Sequence, residues 1–272
     1  MHLIPLLLYG SATAAYLAHF ARGGVATGRL ATGVLGAAIL SHTFLIGMQT
    51  FEAGHAPLVG TTAAVSAFVW LLGLSYLAIE LTTDERALGP FVCALLAALY
   101  VIPATDPSVN LRPAVLQSPL FTIHVLAMLC AYASFALACV VGVTYVLLFN
   151  EIKAKHLGYF YARLPSLQVL DGINGRVVTI GWAFLTLGIV VGGIWATDVR
   201  GYPDPRIAEM SILDPKILVA LLSWGVYSFA LVARRAIGWT GRRAAWLSAL
   251  AFVIVMLNFV PVGYFLTKSH NF

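Results

Sequence analysis

The sequence predicts an all-α integral membrane protein, a bundle of about eight transmembrane helices in a single polytopic domain, 1–272. Three observations predict it. Of 272 residues, 60% are hydrophobic and only 10% charged, whereas a soluble domain carries about 25% charged residues. So few charges leave a water-facing surface uncovered. The mean hydropathy is +0.90. Apolar runs that approach or exceed the roughly 20 residues needed to cross a bilayer recur along the whole chain.

The segments fall near 3–20, 30–50, 58–80, 88–103, 119–149, 175–197, 215–236 and 244–266. The first, "LIPLLLYGSATAAYLAHF", is long enough to span, and no Lys or Arg precedes it, so it reads as a span and not as a cleavable leader. The fourth is short and ends at Pro103. The fifth, at 1.5 Å per residue, is about 46 Å long and must tilt or emerge from the membrane. The sixth and seventh are separated by a polar stretch with Pro203 and Pro205 that ends in Asp214, Pro215 and Lys216. There Asp214 reads as an N-cap and Pro215 as the first helical residue. Lys216 is placed to snorkel, to pair with Asp214 or to meet an anionic ligand. The connection at 150–175 is basic and aromatic in its first half, which suits a segment lying on anionic lipid. Pro165 and Ser166 break it, and Gly172 and Gly175 close it.

Eleven of the sixteen Lys and Arg residues lie in the odd-numbered connections, beginning with the one after the first segment. Basic loops stay in the cytoplasm, so both termini are expected on the outer, periplasmic side of a bacterial inner membrane. The net charge of +5 is then explained by topology. Nucleic acid is not an expected partner, because no basic run is interleaved with exposed aromatics. Cys93, Cys130 and Cys139 all lie in apolar runs, with no Cys-x-x-Cys, and read as small buried hydrophobes.

Histidine carries the functional signal, since ionisable groups inside a bilayer are costly. His2, His19 and His156 lie at or near ends and loops. His124 is about five residues into the fifth segment, so roughly 7 Å deep on the outer side. His270, in "LTKSHNF", also falls outside. Two neutral imidazoles on opposite sides of one iron are a standard haem ligation. His42, in "ILSHTFLIGMQTF", lies about 12 Å inward and near mid-bilayer, where it needs a carbonyl, hydroxyl or metal partner; Ser41 and Thr43 are its sequence neighbours. His55, with Glu52 in the second connection, is the rival outer ligand.

The stretches "HVLAMLCAYASFAL", "LPSLQVLDGINGRVVTIGWAFLTLGIVVGGIWA", "DPKILVALLSWGVYS", "GWTGRRAAW" and "NFVPVGYFLTKSH" together resemble the cytochrome c assembly proteins of the CcsA/HemX type. They cover roughly the C-terminal half; "SHTFLI" and "HAPL" match more loosely. The resemblance implies about eight spans and haem handling at the outer face. In the synthase branch a tryptophan-rich outer segment ending in Trp-Asp-Pro-Lys holds haem, flanked by two histidines. His124 and His270 match those histidines; Trp195 matches the start of the segment, and Asp214, Pro215 and Lys216 its end. The outer loop 198–214 thus resembles a reduced haem-binding platform. Two features depart from the pattern. No tryptophan stands between Trp195 and Asp214, and Val232 occupies the position of a second intramembrane histidine. The chain therefore resembles the HemX/YpjD-like branch more closely, which implies a protein that does not attach haem by itself.

The resulting expectation is a membrane protein that binds or transfers haem b near the outer face. His124 and His270 are its axial ligands, and His42 is a deeper contact. Arg200, Arg206 and Lys216 are candidates for the propionates, as charge-assisted partners. Apocytochrome c or another maturation subunit is the implied partner, and membrane lipid its surround. Two alternatives stand beside it: a regulatory or scaffolding protein acting through the 150–175 loop without haem, and a transporter of another solute.

Overall fold

The computed structural model describes residues 1–106, 114–155, 158–199 and 214–257. Among them the chain forms eight α-helices: α1 (Leu3–Arg22), α2 (Val25–Ala53), α3 (Thr61–Thr83), α4 (Gly89–Thr105), α5 (Pro119–Lys153), α6 (Leu167–Asp198), α7 (Pro215–Val232) and α8 (Arg242–Leu257). A 3₁₀ turn, Ala114–Gln117, precedes α5, and a π-helical turn, Ala233–Ile237, extends α7. Six helices are long and apolar enough to cross a membrane, α7 being counted with its π-turn. The 17 residues of α4 span about 25 Å and carry Pro103 inside the helix; α8 is described over 16 residues.

The helices pack with sequence neighbours, as short connections require. Only Gly23 and Gly24 join α1 to α2, at φ +72° and +103°, a path that favours glycine. α1 also meets α4, and α3 meets both α4 and α5. α5 is the central helix: 67% of its most apolar window is buried, against 28 to 44% for the other five spans. It packs along α6 and also against α8. Small residues permit this approach. A methyl group at Gly181 would strike Phe135, one at Gly188 would strike Met128, and one at Gly142 would lie 2.6 Å from the carbonyl oxygen of Ala245 on α8.

Helix ends follow from local chemistry, and some differ from the sequence expectation. Ser118 and Asp214 cap α5 and α7 through their side chains, with Pro215 in the first turn of α7 as expected. The 150–175 connection is shorter than expected. α5 runs on to Lys153 and α6 begins at Leu167, because the Ser166 hydroxyl accepts from the Val169 amide and so starts a helix instead of breaking one. Gly172 and Gly175 lie within α6, where Gly175 gives the Arg234 guanidinium room to approach. Cys93 is buried, Cys130 and Cys139 are half-buried, and all three are free thiols.

The connections after α1, α3, α5 and α7 share one end of the bundle, the basic end. Carboxylates tie it together. Glu80, 1% exposed, accepts hydrogen bonds from the hydroxyls of Tyr16 (2.5 Å) and Thr32 (2.5 Å), with the Arg86 guanidinium 3.7 Å away. Asp171 accepts from both terminal nitrogens of Arg234 (3.0 and 2.6 Å) and from the Gly241 amide (2.8 Å), joining α6 to the turn between α7 and α8.

Candidate functional site

At the opposite end a separate apolar cluster forms from Val59, Leu116, Phe121, Trp195 and Val199. It gathers the α2–α3 connection, the 3₁₀ turn, the start of α5 and the end of α6. Trp195 is 3% exposed and lies 5.3 Å from the Phe121 ring. Its indole Nε1–H is buried and has no hydrogen-bond partner among the described residues. Buried donors are nearly always paired.

His124 stands one turn beyond Phe121 on α5. Its Nδ1–H donates to the carbonyl oxygen of Gly188 on α6 at 2.7 Å. That bond places the proton on Nδ1 and leaves Nε2 as the lone-pair nitrogen, the arrangement by which a backbone carbonyl orients a metal-ligating imidazole. The ring lies against α6 because Gly192 has no side chain: a methyl group there would sit 2.5 Å from Nδ1 and 2.6 Å from Cε1 of His124. Gly192 and Gly188 thus seat the His124 ring, a role that the histidines alone do not reveal. The glycines in "GIVVGGIW" before Trp195 were the available signal.

Asp214 is 6% exposed and its carboxylate accepts from the Lys216 amide at 2.9 Å, so capping is what it does. Lys216 is half-buried in the first turn of α7. Val59 brings the α2–α3 connection, and with it the segment carrying His55, to the same end as Trp195; the His55 Nδ1–H bonds the Ala56 carbonyl at 3.2 Å. His270, Arg200 and Arg206 lie outside the described residues, as does most of the 198–214 loop.

His42 is placed elsewhere. It is fully buried near the middle of α2, with Nδ1 3.1 Å from the Tyr9 hydroxyl and Nε2 2.9 Å from the Ser66 hydroxyl. The Tyr100 ring packs at 4.6 Å. Its partners come from α1 and α3, not from its neighbours. Successive residues on a helix point about 100° apart, and Ser41 and Thr43 bond the carbonyls of Ala38 and Ile39 on their own helix. Both His42 nitrogens are engaged, so any contact with a ligand would have to displace Tyr9 or Ser66.

Set against the haem expected from the sequence, the residues at the Trp195 end fit. They offer the His124 imidazole, an aromatic wall from Phe121 and Trp195, and a buried indole donor with no partner among the described residues. Among the described residues no group of three or more His, Cys, Asp or Glu side chains could hold a bare metal ion.

Comparison with known proteins gives the same family as the motifs. The model of the cytochrome c assembly protein family matches residues 5–270. The chain is similar to the cytochrome c biogenesis protein CcsA of Chlorella vulgaris, 28% identical over 273 aligned positions covering 87% of this chain and 84% of that one. It is also similar to CcsA of Guillardia theta, 26% identical over 86% of this chain and 82% of the relative. The HemX protein of Brevibacillus brevis is 26% identical over 98% of this chain and 96% of its own length. With a family match across nearly its whole length, on a fold built from membrane-spanning helices, the chain belongs to the cytochrome c assembly protein family.

Proposed function

We propose that the protein handles haem in cytochrome c biogenesis, binding or transferring haem b at the Trp195 end of the bundle. That end faces the periplasm in this reading, with both termini on the same side of a bacterial inner membrane. One observation carries it: the Gly188 carbonyl orients the His124 ring at the end of the bundle where the buried Trp195 indole has no partner among the described residues. The relatives named CcsA, whose printed names assign them to cytochrome c biogenesis, support the pathway.

Each residue then has a task. His124 would hold the haem iron through its imidazole, and Gly192 keeps its ring seated on α6. Trp195 and Phe121 exclude water, and aromatic faces of this kind each bury about 150–250 Å². Bound there, haem b would supply an iron centre that imidazole can ligate. His270 is the candidate for a second imidazole, and Arg200, Arg206 and Lys216 are candidates for the propionates. Asp214 holds the start of α7, and so sets where Lys216 emerges. The chain lacks tryptophan between Trp195 and Asp214 and carries Val232 where a second intramembrane histidine would stand. Apocytochrome c or a second maturation subunit is the partner proposed to receive the haem.

The test is a titration of the detergent-purified protein with haemin, read by its absorption spectrum. Saturable formation of a low-spin Soret band with a resolved α band on reduction is expected. A spectrum that remains that of free haemin in detergent would overturn the proposal.

A further inference from the structure

A second surface feature lies far from His124, at the basic end. α1 and α4 diverge there and leave an open groove of about 400 Å³ between Leu17 and Phe20 on one side and Pro90, Phe91 and Ala94 on the other. Tyr159 and Phe160, from the connection between α5 and α6, close its end. The rings form a continuous aromatic wall: Phe20 lies 5.9 Å from Phe91 and 5.5 Å from Tyr159. Every lining side chain is apolar or aromatic.

The rim has the opposite character. The Arg163 guanidinium stacks 3.9 Å over the Tyr159 ring and donates to the Ala21 carbonyl oxygen at 3.1 Å. Arg22, at the end of α1, is exposed beside it. Neither arginine forms an ion pair among the described residues. The nearby carboxylate of Glu151 is turned to the backbone amides of Phe160 and Tyr161 at 3.3 and 2.8 Å, and it holds this connection in place. Unpaired arginine at the mouth of an apolar groove, at the level where helices leave the membrane, matches one ligand chemistry: an apolar chain carrying an anionic head.

We propose that this groove binds an anionic phospholipid, with an acyl chain between Leu17, Phe20, Phe91 and Ala94 and the headgroup phosphate on Arg163. The tyrosine and arginine then sit at headgroup depth, where amphipathic rings and long cations are favoured. The site requires no haem and does not depend on the reading of His124. A lipid seated there bridges the packed pair α1 and α4 to the α5–α6 connection, which touches α1 through the Arg163–Ala21 bond and the Tyr159–Phe20 ring contact.

The experiment reconstitutes the full-length protein in nanodiscs of equal phosphatidylglycerol and phosphatidylcholine and releases it into a mild detergent. Retained lipid is then counted by native mass spectrometry. Wild type is expected to retain phosphatidylglycerol at least about tenfold over phosphatidylcholine. Arg163→Gln should lose the headgroup preference, and Ala94→Trp, at an exposed position, should fill the groove and retain neither lipid. Leu250→Trp, on the exposed face of α8, should behave as wild type and exclude a general effect of added bulk. Equal retention of the two lipids by wild type, or unchanged retention by Ala94→Trp, would overturn the proposal.

Discussion

The two ends of the bundle are built on different chemistry. At the basic end, a buried and a half-buried carboxylate close each half on itself: Glu80 gathers α1, α2 and the α3–α4 turn, and Asp171 gathers α6, α7 and the start of α8. Most polar atoms there have partners, the buried Tyr76 hydroxyl being an exception. At the other end the Asp214 carboxylate caps its own helix, and the packing is made by Phe121, Trp195 and Val59. There the indole donor of Trp195 has no partner among the described residues, while the Gly188 carbonyl orients His124. The contrast separates an end cross-linked by ion pairs from an end packed by aromatic and aliphatic side chains.

Breaking the basic end should have the largest effect on stability. Glu80→Ala leaves the Tyr16 hydroxyl without its acceptor and removes the Thr32 and Arg86 contacts, while Thr32 keeps the Gly28 carbonyl and Arg86 keeps Asp84. Removing one partner of a buried charged cluster costs about 3–5 kcal/mol. Thermal unfolding in detergent should show this loss, while any haem spectrum of the surviving folded fraction should be unchanged. A spectrum altered as strongly as the stability would mean that the ends are not separable.

The second prediction sits between the two properties. Gly192→Val forces a side chain into the space of the His124 ring. Overpacking of this kind costs about 1–3 kcal/mol, less than Glu80→Ala, yet haem binding should be lost. Retained haem affinity in a folded Gly192→Val protein would show that the seat on α6 is not needed.

These two residues also show how much was legible in the chain. The eight helices could be read because apolar runs separated by polar punctuation have few other structures open to them. The cap at Asp214 could be read because an N-cap is a local rule. Contacts that join distant helices could not. His42 finds Tyr9 and Ser66 across α1 and α3, and neither pairing leaves a mark in the sequence. Glu80 stands near a helix end in the sequence, yet is buried because α1 and α2 close over it. Ser166 after Pro165 reads as a break in the sequence, yet its hydroxyl accepts from the Val169 amide and caps α6. At the candidate site His124 and Trp195 were legible as residue types at a helix end. Gly188 and Gly192 were not, since a glycine declares its role only when the opposing side chain is known. His270, Arg200 and Arg206 fall outside the described residues, so their part in the site remains an expectation of the sequence.

The smallest effect on folding should come from Trp195→Phe. This change keeps an aromatic ring and removes a donor that has no partner among the described residues. Stability should fall by about 1 kcal/mol, since the smaller ring leaves space in a buried site. Haem affinity should fall severalfold, in keeping with loss of one hydrogen bond of about 1 kcal/mol. Unchanged haem affinity in the folded variant would place Trp195 among the packing residues only.

The most direct measurement is the haem spectrum of His124→Gly, with and without added imidazole. A free imidazole can occupy the space the side chain vacates and restore one axial ligand without touching the fold. If His124 ligates the iron, the variant loses the low-spin Soret and α bands and regains them as imidazole is added, while Gly192→Val does not respond. A His124→Gly protein whose bands match wild type without imidazole would contradict the assignment of the site to this end of the bundle.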